Sequence, residues 1–220
     1  MHMFERCADR SEKLQLVSYN SVMKLPTLDE ANQLHKKHAP NEKALNSVWK
    51  HSHIVRRIAL QIADNWHQTD RELINIGALL HDIGVYKLYK NGELDASKNY
   101  VTHGLLGYNL LKEEGFDETI CRFALCHTGV GITSQEVESQ NLPLPIRDYV
   151  AETDEERIVM YADKFHSKTE PPMFNSAEWY RNSLQSKFGE PKAMLFDEFV
   201  QEFGEPNLEP LMARYGHGLR

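Results

Sequence analysis

Residues 70–84 read DRELINIGALLHDIG, and the order of these side chains decides the fold. Asp70 stands at a helix start, and Leu73, Ile76, Gly77 and Leu80 recur three and four residues apart, which gives the segment one apolar stripe. His81 adjoins that stripe, with Asp82 and Gly84 at the helix end, so the helix terminus with this polar pair is expected to face the protein interior.

The segments on either side repeat the pattern. Upstream, HSHIVRRIALQIA (51–63) places Val55, Ile58, Ala59 and Ile62 on one stripe, with His51 one turn back on the same face and His53 on another. This helix is expected to begin after Asn41. A shorter one, headed by the capping-box spacing of Thr27 and Glu30, runs toward His38 and stops at Pro40. Downstream, Thr102 is expected to cap a helix bearing His103, Leu106, Gly107, Leu110 and Leu111, which Gly115 ends. Asp117 opens another bearing Ile120, Phe123, Ala124 and His127. Thr153 heads TDEERIVMYADKF, which carries Ile158, Val159, Ala162 and a buried Asp163 on its inner side. No segment shows the alternation of a strand, so the expected class is all-α. Residues 86–101 and 129–152 lack a helical period and are expected to be loops, the first over the site and the second as part of a lid. Two later amphipathic stretches, Trp179 to Phe188 and Lys192 to Phe203, are assigned to packing, with Trp179 and Tyr180 turned inward.

The chain as a whole has 220 residues, 41% hydrophobic and 26% charged, which suits one folded domain over residues 1–220. A formal net charge of -7 argues against a nucleic-acid polymer or an anionic membrane as partner. The first residues lack the apolar run of a signal peptide, and no stretch has the roughly 18 apolar residues of a membrane helix, so a cytoplasmic location is expected. Cys7, Cys121 and Cys126 show no CxxC spacing and read as reduced thiols.

Five positions far apart in sequence, His51, His81, His103, His127 and Asp163, thus fall on the apolar sides of five helices, with Asp82 beside one of them. Any one such histidine reads as an ordinary core residue bonded to a backbone carbonyl. Together they read as a metal site, because burying several imidazoles and carboxylates is costly without a compensating charge. Neutral imidazoles and carboxylates suit one or two divalent ions of Fe, Mn, Co, Ni, Zn or Mg.

These motifs resemble those of the HD superfamily of metal-dependent phosphohydrolases over roughly residues 45–170. The resemblance rests on HSHIVRRIALQIA with His51, HDIG with His81 and Asp82, THGLLGYNLL with His103, ALCHTGVG with His127 and EERIVMYADKF with Asp163. It implies an HD-type helical bundle with the metal site in its core, an N-terminal helix within 1–44 and C-terminal helices within 171–220 packed on it. It further implies a phosphomonoesterase, phosphodiesterase or pyrophosphohydrolase acting on a small phosphorylated metabolite, a nucleotide or dinucleoside polyphosphate. The chain is similar to small HDIG-type hydrolases and to the bacterial group that splits symmetrical diadenosine tetraphosphate. Asp82 is expected to bridge or neighbour two metals, His51, His81 and Asp163 to surround the first, and His103 and His127 the second; a single ion is the simpler alternative. Metal-bound hydroxide would then attack phosphorus, with Asp82 and His81 as catalytic centre and Lys164, Lys87 and Arg56 as candidate phosphate-neutralising cations.

Three departures from the family's patterns bear on the activity. Val85 follows HDIG where many relatives have Lys, leaving Lys87 or Lys90 to replace it; the GYP signature of cyclic diguanylate phosphodiesterases is absent after His127; and HDIG does not continue into the Glu-Asp pair of alarmone hydrolases. A di-iron oxygenase of the same fold and a non-catalytic nucleotide-binding sensor stand as alternatives.

Overall fold

The structure, a computed structural model, describes residues 25–66, 68–95 and 97–220. Cys7 and the part of the expected N-terminal helix before residue 25 lie outside the described residues. Helix α1 (Leu28–His38) opens on the reciprocal Thr27–Glu30 capping box, and α2 (Glu42–Ala63) on the Asn41 side chain. Asp70 caps α3 (Arg71–Leu80) by accepting from the backbone N–H groups of Glu72 and Leu73. After the His81–Asp82 doublet the chain tightens into a 3-10 segment (Ile83–Leu88), a two-residue hairpin of β1 (Tyr89–Lys90) with β2 (Glu93–Leu94), and a second 3-10 segment (Lys98–Thr102). Then come α4 (His103–Glu113), α5 (Glu118–Cys126), α6 (Ser134–Ser139) and α7 (Asp154–Asp163). The C-terminal part holds β3 (His166–Ser167), β4 (Met173–Phe174), α8 (Ala177–Phe188), α9 (Glu190–Phe203), α10 (Glu209–Tyr215) and β5 (Gly218–Leu219).

The architecture is all-α, with helices packed around a hydrophobic cluster whose residues run from Ala31 to Leu211. Helix α2 lies against α3 and α7, α4 against α5, and α8 against α9. Ile54, Ile58, Ile74, Leu79, Phe123 and Tyr161 are fully buried where these faces meet. No helix among the described residues is long and apolar enough to cross a membrane.

Four expectations need correction. Short strands exist: β1 and β2 close on Asn91 and Gly92, both at positive φ, while β4 pairs antiparallel with β3 and parallel with β5. Two-residue strands are too short to show a period, so the alternation rule had nothing to act on. Residues 86–101 are accordingly a hairpin between two 3-10 segments rather than a plain loop. Thr102 does not cap α4; its hydroxyl donates to Asn99 O, and the helix grows directly out of the preceding 3-10 segment. The 129–152 excursion contains α6, headed by a Thr133–Glu136 capping box, above a small cluster of Leu125, Val137, Leu144 and Tyr149.

Gly84 and Gly107 set the distance between α4 and the doublet. A Cβ on Gly84 would lie 2.0 Å from His103 O and 2.2 Å from Gly107 N. Only a residue without a side chain lets the turn after Asp82 press on the α4 backbone, and this contact brings His103 beside Asp82.

Candidate metal centre

Five different helices place the six residues of the centre. His51 projects from the middle of α2, His81 and Asp82 follow α3, His103 begins α4, His127 follows α5 and Asp163 ends α7. His51, His81, His103, His127 and Asp82 are buried, and Asp163 is partly so.

Asp82 lies between two sets of imidazoles. Its Oδ2 is 3.3 Å from His51 Nε2 and 3.8 Å from His81 Nε2, and its Oδ1 is 3.6 Å from the Nε2 atoms of both His103 and His127. Asp163 Oδ1 completes the first set, 2.9 Å from His51 Nε2 and 3.5 Å from His81 Nε2. The donor atoms of His51, His81 and Asp163 lie within 4.8 Å of one another, as do those of His81, Asp82 and His127.

The protonation pattern of the rings fits a cation. Backbone carbonyls only accept, so His81 Nδ1 donates to Ala78 O at 2.7 Å, His103 Nδ1 to Tyr100 O at 2.6 Å and His127 Nδ1 to Ala124 O at 2.8 Å. In neutral rings the Nε2 atoms then carry lone pairs. His81 Nε2 is buried with no hydrogen-bond partner. Burial lowers the pKa of His51 to about 4 and of His103 to about 3, and lowers that of His127, so each ring stays neutral and able to ligate. Burial pushes the Asp82 carboxyl up, but Lys168 and His81 outweigh it and hold it well below the usual range; for Asp163 the outweighing groups are Lys164 and the His51 hydrogen bond. Lone-pair nitrogens grouped around ionised carboxylates are the donor set of a divalent metal.

The cations fall differently from expectation. Lys164 is buried and donates to Asp163 Oδ2 at 2.6 Å and to His127 O at 2.8 Å, so it is committed to the centre's frame. Lys87 is exposed and does not line the cleft, because the 3-10 segment turns it outward. Lys90 pairs with Asp95, and Arg56 bonds Asn75 on the α2–α3 surface. The lysine that reaches the centre is Lys168, whose ammonium contacts Asp82 Oδ2.

A cavity of about 690 Å³ opens over Asp82, His103, His127 and Asp163, walled by Tyr100, Lys168, Trp179, Tyr180, Lys187 and Arg220. Tyr180 does pack on Phe196, but with Trp179 it also lines this cleft, so α8 serves the site as well as the core. Arg220 stacks 3.9 Å over the Trp179 ring. Lys168, His166 and His217 were missed in the sequence because they sit in short strands and turns, where no helical stripe marks an inward face.

A family model described as the HD domain matches residues 48–168. A protein of Picrophilus torridus named tRNA (cytidine(56)-2'-O)-methyltransferase is 40% identical over 127 residues, covering 58% of this chain and 33% of that protein. An uncharacterized protein of Methanocaldococcus jannaschii is 38% identical over 112 residues, covering 51% of this chain and 59% of that protein. The chain therefore spans between a third and three fifths of the length of these curated relatives. The crystal structure of the HD domain of the L. monocytogenes phosphodiesterase PgpH superposes with a TM-score of 0.48 at 16% identity, over 86% of this chain and 88% of that one. With the family match spanning more than half of its length, the chain belongs to the HD domain family.

Proposed function

We propose that this chain is a metal-dependent phosphohydrolase acting on a small phosphorylated metabolite, a nucleotide or dinucleoside polyphosphate. The observation that carries the reading is Asp82, whose two carboxylate oxygens face two separate groups of imidazole Nε2 atoms. His51, His81, Asp82 and Asp163 would hold one cation, and Asp82, His103 and His127 a second. A divalent cation so held supplies positive charge to phosphoryl oxygens and a water acidified toward neutrality.

The chain's own groups supply the rest. Lys168, Lys187 and Arg220 bring positive charge to the cleft walls, where phosphate oxygens need it. Lys164 acts indirectly, by holding Asp163 in place. Tyr100, Trp179 and Tyr180 offer aromatic surface for a base or sugar. A neighbouring cavity of about 460 Å³ shares Thr128 and Gly129 with the cleft and has mainly apolar walls, including Val130, Ile132, Leu184 and Phe188. Its lysine, Lys192, is engaged by Gly131 O and Glu136, so the cavity suits an uncharged base better than a phosphate. The methyltransferase name belongs to a protein of which this match covers a third, and a centre built from imidazoles and carboxylates favours hydrolysis for the stretch in hand.

The test combines metal analysis of purified protein with phosphate release from nucleotides, sugar phosphates and dinucleoside polyphosphates, under air and without oxygen. Asp82→Ala is expected to lose bound metal and to lower turnover by at least about 100-fold. Unchanged turnover in that variant would refute the proposal, and turnover that requires oxygen would transfer the chain to oxygenation.

A further inference from the structure

We infer that His166 and His217 form, with His51, a hydrogen-bonded chain that keeps the His51 proton on Nδ1 and so leaves its Nε2 lone pair to the cation centre; this rests on the metal-dependent reading above. His51 Nδ1 lies 2.8 Å from His166 Nδ1, and His166 Nε2 lies 2.9 Å from His217 Nδ1. Successive ring centroids are 5.1 Å apart, His51 and His166 are buried, and Phe174 closes on His166 edge-on. His217 lies beyond the 48–168 family match and arrives through β5, whose Gly218 pairs with Met173 of β4. Gly216, in the left-handed region, turns the chain out of α10 just before it. The outer end of the chain opens into a cavity of about 500 Å³ whose lining also includes Lys43, Lys50 and Lys168.

The direction of the chain follows from where the cation sits. A neutral imidazole has one N–H, so if His51 Nε2 gives its lone pair to a cation, the proton is on Nδ1 and donates to His166. His166 then accepts on Nδ1 and donates from Nε2 to His217 Nδ1, and His217 carries its own proton on Nε2. The competing tautomer of His51 has an acceptor waiting, because Asp163 Oδ1 is 2.9 Å from His51 Nε2. A proton held there would occupy the ligating nitrogen. His166 opposes it by giving the Nδ1 proton a buried acceptor, which makes His166 and His217 positioning residues for a ligand they do not replace.

Zinc serves as the probe, titrated calorimetrically into wild type, His166→Phe, His166→Gln and His217→Phe, with long-range proton–nitrogen NMR of zinc-loaded wild type to read the tautomers. His166→Phe is expected to bind zinc about 10- to 100-fold more weakly. His166→Gln, whose amide oxygen can accept from His51, is expected to recover most of that loss, and His217→Phe to lose less. The spectra are expected to show Nε2–H at both His166 and His217. Wild-type affinity in His166→Phe, no rescue by Gln, or Nδ1–H at His217 would each overturn the inference. If His166→Phe does not fold, the wild-type spectra and His217→Phe still decide. Failure of wild type to bind any divalent ion would sink the metal-dependent reading and this inference with it, whereas a wild type that binds zinc beside an unaffected His166→Phe sinks this inference alone.

Discussion

The Nε2 atoms of His103 and His127 lie 2.8 Å apart, although each ring donates its Nδ1 proton to a backbone carbonyl. Two lone pairs facing each other at that distance repel unless positive charge lies between or beside them. Divalent cations are therefore expected to stabilise the protein strongly. At about 100 times the dissociation constant, binding adds about 2.7 kcal/mol, which for a chain of this size raises Tm by roughly 5 to 10 °C. Thermal unfolding with and without EDTA checks this. His103→Ala is expected to lose part of the shift, and a wild-type Tm indifferent to cations would contradict the reading of the centre.

Gly84→Ala is expected to destabilise the fold by about 3 kcal/mol or more, the upper end for overpacking. The added methyl would meet His103 O and Gly107 N, both backbone atoms that cannot rotate away. Urea unfolding measures the loss. Gly115→Ala is the control: its Cβ would meet nothing within 4 Å, so the cost there comes from its φ of +83° alone and should be smaller.

His35 makes stability depend on pH. The ring is buried between α1 and α3, donating from Nε2 to Leu79 O at 2.9 Å and accepting on Nδ1 from the Tyr86 hydroxyl at 2.8 Å. Burial lowers its pKa from 6.5 to about 4. Between those values the unfolded chain binds a proton that the folded chain refuses, so stability falls as pH drops from about 6.5 to about 4. The contribution is on the order of 3 kcal/mol across that window. His35→Gln is expected to flatten the slope of unfolding free energy against pH in EDTA relative to wild type; parallel slopes would refute the assignment.

Arg122 grips the buried Glu156 through Nε to Oε1 at 2.6 Å and Nη2 to Oε2 at 2.9 Å, tying α5 to α7. Arg122→Met leaves that carboxylate buried without its charge partner and is expected to cost about 3 kcal/mol or more. The double variant Arg122→Met with Glu156→Leu is expected to recover much of the loss, since no charge remains buried. Denaturant unfolding of the single and double variants separates the two effects.

Much of this molecule was legible from spacing. The 3.6-residue period placed α2, α3, α5 and α7 and the inward stripes bearing His51, His81, His127 and Asp163, because a helix orients its side chains by local geometry alone. The 3-10 segments and the two-residue strands were not legible because they are too short to show a period, and the cleft walls were not because they meet from segments far apart in sequence. Lys87 shows the difference: proximity to HDIG made it a candidate, but the turn that follows points it to solvent, and Lys168, 86 positions away from Asp82, takes the place beside that carboxylate.

His35 and His81 mark the boundary most clearly. Both are fully buried, but only His81 adjoins a stripe that the spacing of DRELINIGALLHDIG made legible, whereas the burial of His35 in α1 came from the structure. Only the tertiary structure decided their roles. His35 finds Leu79 O and Tyr86 Oη and spends both nitrogens, whereas His81 spends one on Ala78 O and keeps the other buried without a hydrogen-bond partner beside two carboxylates. Periodicity sets which way a side chain points, but the partner it meets is fixed by how separate helices pack.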